Sequence, residues 1–409
     1  MKKKLGPFLL SGLLIGPILG SGIILLPPLI YKTTGDYAIV AWIMILAIGF
    51  LLAMLFGKLS VAFPSEKGVA HTAELAFGPL ASKLSACFFI GATFIGPIAV
   101  LMTASVYIHE LFPAFPSYIY GFMLLPICVG ILLTNIRFIS KVSFIFATIA
   151  VIILLSGSIV TLFHAKNSAI FETGFHLKSF GYGILLLFWA LVGWEMIGNY
   201  SLEVKKPEKT MPRAIILSSI VVILVSVLVS LAIQRVPASN HVGETIIGIL
   251  TPLYGNWAGP LISIITIVLC ISTYLQVMGS VTRLISSMTQ DNRWISLLAY
   301  RNKRNIPIAA ILGLSLIHIC VLALVSLDIL NIQKIVAVAN AFFLCNTCFG
   351  IAAGWKLLDG WLYKVITTGL LACFLVILAF SSLWVIGIIA LILASFTLFH
   401  LRKRGCLIS

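Results

Sequence analysis

Apolar runs dominate the chain, and short polar stretches punctuate them. Twelve runs stand out, at residues 6–31, 37–63, 82–110, 118–135, 142–163, 181–202, 214–234, 258–283, 307–327, 332–354, 365–380 and 383–400. Each comes close to the ~20 residues an α-helix needs to cross a bilayer. The pattern predicts an all-α integral membrane protein with twelve transmembrane helices. Lys2, Lys3 and Lys4 precede the first run in the manner of a signal peptide. That run continues past Ile30, is broken by Gly and Pro and lacks a small-residue cleavage site, so it reads as the first span. Composition agrees: 61% of residues are hydrophobic and 10% charged, against roughly 45–50% and about 25% in soluble chains. Loops this short leave no room for a folded soluble domain. No G-x-x-x-x-G-K-[ST] phosphate loop occurs, which excludes ATP as the direct energy source.

The formal net charge of +15 would suggest nucleic acid in a soluble protein, but here it must first be sorted by side of the membrane. Twelve spans put both termini on one side. With that side cytoplasmic, 22 of the 27 Lys and Arg residues lie inside, and only Lys32, Lys166, Lys178, Arg235 and Lys334 lie outside. The asymmetry supports both the count and cytoplasmic termini, and makes anionic inner-leaflet lipid, not nucleic acid, the partner of the positive charge. The expected location is the plasma or inner membrane. Seven of the eight cysteines fall inside apolar runs, as small core residues do. Cys345 and Cys348 form a C-x-x-C without a second ligand pair. No metal or other cofactor is expected.

Two spans are interrupted. The first carries Gly12, Gly16, Pro17 and then Gly20, Ser21, Gly22 and Ile23 near its middle; the sixth carries Phe188 to Glu195 with Gly193 near its middle. The Gly12, Gly16 and Gly20 spacing also suits close helix packing. Glycine lets the backbone leave the helical ladder, and an unwound stretch in hydrocarbon is tolerable only where it lines a cavity. Interrupted spans five apart predict two inverted five-helix repeats, at 1–163 and 181–354, with substrate at their shared midplane and two peripheral helices at 365–400. Unwinding at Gly20, Ser21, Gly22 and Ile23 turns N–H groups toward an α-carboxylate. Freed carbonyls near Ile15, Gly16, Phe188 and Leu191 would accept from an α-ammonium. Cavity-facing residues of spans three, six, eight and ten are mostly apolar, which points to a neutral, hydrophobic substrate side chain.

Gly20-Ser21-Gly22-Ile23 resembles the G-S/T-G-I/V signature of the amino acid–polyamine–organocation (APC) transporters. The stretch from Phe188 to Ala214, FWALVGWEMIGNYSLEVKKPEKTMPRA, is similar to that superfamily's F-x-x-x-x-G-x-E span and the E-x-x-x-P-x-x-x-x-P-R-A that follows it. Pro64 to His71, PSEKGVAH, resembles a loop of its bacterial amino acid exporter branch. The resemblance implies a LeuT-like fold in a single transporter domain over 1–409, ten core helices plus two. It also implies secondary-active alternating access without a cofactor, and export of neutral amino acids such as methionine and the branched-chain ones. Import or exchange of another substrate stays open. Proton-coupled members carry a lysine midway along the fifth span where this chain has Val151, and Lys67 replaces the first glycine of the loop's G-G pair.

Glu195 is the one carboxylate well inside a span. An acid at that depth is costly unless paired, protonated or hydrated, so it is a candidate for handling a coupling proton or for capping the half-helix. Glu203 and Arg213 bound a charged, proline-containing connector, in which Pro207 and Pro212 should stop helix propagation and the two charges could pair as a cytoplasmic gate. His109 with Glu110 and His318 read mainly as packed, hydrogen-bonded residues, and the polar run Ser272, Thr273, Tyr274 and Gln276 reads as interhelical hydrogen bonding or as ligand contact. An embedded enzyme would need acid–base or metal-binding residues clustered on facing spans, and a channel would need a repeated polar filter. Neither pattern is visible.

Overall fold

Hydrocarbon offers no water to an open backbone N–H or C=O, so a spanning chain must satisfy these groups within its own helices. The computed structural model describes residues 5–20, 22–134, 136–164, 173–236, 246–290, 295–330, 332–381 and 383–405. The first interrupted span consists of α1 (Pro7–Leu19) and α2 (Gly22–Thr34). There follow α3 (Ala38–Ala62), the short α4 (Val69–Phe77), α5 (Pro79–Leu111), α6 (Ser117–Leu132) and α7 (Ile136–His164). The sixth span starts as α8 (Leu177–Leu187) and continues as two 3₁₀ stretches, Phe188–Leu191 and Glu195–Glu203. Then come α9 (Pro207–Ile233), α10 (Ala258–Met288), α11 (Ile308–Ser326), α12 (Ile332–Leu357), α13 (Trp361–Ala379) and α14 (Leu383–Gly405).

Among the described residues, nine helical stretches are long and apolar enough to cross a membrane. The first, Pro7–Ala62, takes in α1, α2 and α3, and so covers two of the apolar runs. Ser117–Leu132 and Leu383–Thr397 are shorter apolar helices. Among the described residues, each apolar run falls largely on helix. Boundaries differ from expectation by several residues, most at α9, which starts at Pro207, seven residues earlier than the run, with Pro212 inside it. Proline at the first helical position gives up only an N–H that has no ladder partner there anyway. Pro207 therefore opens the helix instead of blocking it.

α1 is wrapped by α7, α9 and α10, and α5 packs along both α10 and α12. α13 and α14 attach outside this cluster, α13 on α12 and α8, α14 on α12 and α5. Large apolar side chains also face outward, among them Ile43, Met44 and Met54 on α3, Ile145 and Ile152 on α7, and Leu312 and Leu316 on α11. Exposed apolar surface on this scale fits a lipid environment. Several buried hydroxyls are satisfied locally: those of Ser60, Ser105, Thr266 and Thr282 each donate to the carbonyl four residues back. Helices can carry such groups through hydrocarbon at little cost.

Candidate functional site

The first break follows from Gly20, whose φ of 32° lies in the left-handed region where L side chains are strained. Gly20 N–H closes the last turn of α1 on Gly16 O at 2.6 Å, and the ladder stops there. The Gly16 carbonyl expected to be free is therefore engaged, and it also receives the Thr273 hydroxyl at 3.3 Å. With α1 ending at Leu19, the Ile15 carbonyl likewise belongs to the ladder. The carbonyls that the break releases lie a turn further on, at Ile18 and Leu19, whose ladder donors would have been Gly22 and Ile23. Gly22 and Ile23 open α2 instead, so their N–H groups are released as donors at a helix N-terminus. Ser21 lies outside the described residues. Gly12 serves packing, because a Cβ there would sit 2.7 Å from Phe144 Cα.

The second break falls at Val192, which is extended with ψ 120°, and Gly193, with φ 133°. The two breaks meet. A Cβ on Gly193 would lie 3.4 Å from Ile18 Cγ1, and one on Gly22 3.6 Å from Trp189 Cδ1. Phe188 turns its ring onto Phe374 of α13, 5.5 Å between centroids, and the Leu191 side chain reaches Gly49 of α3. The side chains of Phe188 and Leu191 therefore face away from the break, and only their backbone is placed near it.

Beside the two breaks is a small cavity of about 20 Å³. Pro17 of α1 lines it, with Gly96, Pro97 and Val100 of α5, Trp189 and Val192 of the sixth span, Thr273, Tyr274 and Val277 of α10, and Phe343 of α12. Spans three, six, eight and ten all contribute, and no lining side chain carries a charge. Tyr274 belongs to the polar run noted in sequence, where ligand contact stood beside interhelical hydrogen bonding, whereas Trp189 and Phe343 are not marked as cavity walls by the sequence. The signal for Trp189 was its place within four residues of Gly193; Phe343 had none, being one Phe among 26.

Glu195 sits just past the second break, 2% exposed. Its Oε2 accepts the Gly193 N–H at 3.1 Å, whereas Oε1 has no hydrogen-bond partner within the protein. Two small cavities, each of about 10 Å³, border this carboxyl; the first is shared with Lys67, Asn199 and Asn346, the second with Ser60 and Thr72. The expected Glu203–Arg213 pair does not form. Glu203 instead receives Arg283 Nε at 2.7 Å, and Arg213 is exposed on the first turns of α9. The reason is packing: the 3₁₀ stretch ending at Glu203 lies against the C-terminal part of α10, while α9 turns Arg213 outward. The Arg283 guanidinium also stacks on Tyr200 at 4.8 Å.

A second ion pair stands nearby, Glu66 with Arg301 through two contacts of 3.1 and 2.5 Å. The Asn199 amide reaches Glu66 O at 2.8 Å, and Leu5 pairs with the backbone of Glu203 and Lys205 at 3.1 and 2.9 Å. These contacts tie the chain start, the loop after α3, the exit of the sixth span and the loop after α10 into one closure. Glu203→Ala, which removes the charge partner of the largely enclosed Arg283, is expected to cost up to about 3 kcal/mol, the low end for loss of one partner from a buried pair. Arg213→Ala should change stability little. Thermal unfolding in detergent of both variants checks this, and equal losses would contradict the pairing.

His109 is occupied structurally, its Nδ1 2.7 Å from Phe115 O in the following loop. Among the described residues, no cluster of three or more His, Cys, Asp or Glu could hold a metal ion.

Comparison with known proteins bears on what this arrangement is for. The profile of the family described as amino acid permease matches residues 5–401. The chain is 25% identical to the L-methionine/branched-chain amino acid exporter YjeH of Escherichia coli (strain K12), over 92% of this chain and 91% of that one. It is 26% identical to a cadaverine/lysine antiporter of the same organism, over 66% and 63% respectively. To the large neutral amino acids transporter small subunit 2 of Mus musculus it is 27% identical, over 87% and 71%.

Proposed function

The chain belongs to the amino acid permease family and is a multi-pass integral membrane protein, and from that premise we propose that it exports neutral, hydrophobic L-amino acids by secondary-active alternating access. The observation that carries the reading is the uncharged cavity beside the two broken spans. In this reading the Gly20, Ser21, Gly22 and Ile23 segment binds the α-carboxylate through backbone N–H groups at the start of α2. Carbonyls of the breaks, including those near Phe188, Leu191 and Gly193, take the α-ammonium. Both charges of the zwitterion then meet neutral backbone dipoles, and no protein charge is left unpaired in hydrocarbon. The walls from Val100, Val192, Val277 and Phe343 read the side chain.

The reading includes twelve crossings, both termini in the cytoplasm, a LeuT-like pair of inverted repeats at 1–163 and 181–354, and peripheral helices at 365–400. It also includes a coupling proton on Glu195 and a cytoplasmic gate at Glu203, with Arg283 as its partner. The exporter named for methionine and branched-chain amino acids supports the substrate class and the direction. The name of the cadaverine/lysine antiporter favours a second reading, exchange of a cationic substrate. The absence of a carboxylate among the cavity walls argues against it, because a buried side-chain charge needs a partner.

Counterflow in proteoliposomes with a panel of amino acids, with and without a pH gradient, tests the proposal. Methionine, leucine, isoleucine and valine should compete with one another, while lysine, arginine and glutamate should not. Arginine competing as well as leucine would refute the neutral-substrate reading.

A further inference from the structure

Pro97 lies inside α5, where it supplies no N–H to the carbonyl of Thr93 four residues back. That carbonyl is nevertheless satisfied: Nε2 of His318, on α11, lies 2.9 Å from it. The other ring nitrogen, Nδ1, lies 2.9 Å from the Tyr274 hydroxyl on α10. A carbonyl only accepts, so Nε2 carries the hydrogen. In the neutral ring Nδ1 must then accept, and Tyr274 donates to it. One imidazole thus fills the gap that a proline makes in one helix and fixes the hydroxyl of a tyrosine on another. The two rings also meet edge-on, 5.6 Å between centroids at 62°. His318 is fully buried and is not among the cavity walls, whereas Pro97 and Tyr274 both are.

We propose that His318 is a positioning residue for substrate selectivity: from behind the cavity it holds the Tyr274 ring against the bend of α5 at Pro97, and so fixes the width available to the substrate side chain. The inference rests on the cavity being the amino acid site. The physical reason is that the Tyr274 hydroxyl is buried and must find an acceptor. With His318 in place the acceptor is unique, so the ring has one position. Without it the hydroxyl seeks another partner and the wall moves. An apolar pocket separates substrates only by shape, so a moved wall changes the ranking of substrates by size.

Dissociation constants of purified protein for leucine and phenylalanine test this, measured for wild type, His318→Leu, His318→Gln, Tyr274→Phe and the Tyr274→Phe, His318→Leu double variant. The ratio of the two affinities should shift by about threefold to tenfold in His318→Leu and in Tyr274→Phe, the worth of one hydrogen bond. The double variant should shift no further than either single, since both remove the same link. Gln, whose amide both donates and accepts, should restore part of the ratio. An unchanged ratio in Tyr274→Phe overturns the proposal, as do shifts that multiply in the double variant. Should His318→Leu fail to fold, Tyr274→Phe decides alone, because phenylalanine fills the same space. Wild-type protein that binds neither amino acid refutes the functional reading, and this inference with it.

Discussion

Gly22→Val is expected to abolish substrate binding and transport while the protein still folds and inserts. Gly22 is the first residue of α2, and its N–H is one of those released at the break. A Cβ there would meet Leu26 Cδ1 at 3.5 Å and Trp189 Cδ1 at 3.6 Å, both ordinary contacts, so the fold can accept one. Valine's further methyl groups would occupy the space between the start of α2 and Trp189, through which a carboxylate must approach. Loss of two charge-assisted hydrogen bonds, each worth about 1.5–3 kcal/mol, should weaken binding at least about 100-fold. Gly20→Val provides the contrast. Its φ of 32°, and a Cβ that would sit 2.7 Å from both Pro17 O and Thr273 Oγ1, make that substitution a structural one. It should lower the melting temperature, where Gly22→Val should not. Calorimetric binding of leucine together with thermal unfolding of both variants decides the matter. Unchanged leucine affinity in Gly22→Val would remove the carboxylate from this break.

Glu195→Gln is expected to leave amino acid exchange across the membrane largely intact and to eliminate its response to a pH gradient. Glutamine keeps the shape, and its amide oxygen can still accept the Gly193 N–H that Oε2 now receives. What it removes is the titration at Oε1, an oxygen without a protein partner that borders two small cavities. Val151 is apolar at the position where the resemblance to the APC transporters implies a lysine in proton-coupled members, so on that resemblance a proton-driven carrier needs another group. Glu195 is the buried acid next to the second break. Proteoliposome exchange at equal pH, followed by uptake under an imposed pH gradient, separates the two roles. If glutamine weakens both alike, the carboxylate is a cap for the second break. If the pH response is unchanged, the proton role is wrong.

The breaks themselves were legible because their cause is local. Gly20 and Gly193 adopt backbone angles that side chains disfavour, and that preference is written in single positions. The helices were legible because hydrocarbon demands internal hydrogen bonding of any segment that crosses it. The extent of α9 was not, because Pro207 and Pro212 were weighed as interruptions, whereas near a helix start the lost N–H groups matter little.

Partners were harder to read than elements. The reach of Glu203 to Arg283 spans 80 residues and that of Glu66 to Arg301 spans 235, so sequence proximity, which suggested Arg213, was a poor guide. Gly16 illustrates the same limit: its carbonyl looked free from the glycine pattern, but Thr273 of a distant helix donates to it.

The sequence by itself determined that this chain lives in a membrane, where its helices run and where two of them break, since these follow from hydrophobicity and from φ/ψ preferences residue by residue. Only the tertiary structure decided which carbonyls the first break releases, that Trp189, Tyr274 and Phe343 form the cavity walls, and that Arg283 closes on Glu203. Those outcomes depend on which faces of helices far apart in the chain are turned toward one another, and almost uniformly apolar spans carry no amphipathic stripe to announce it.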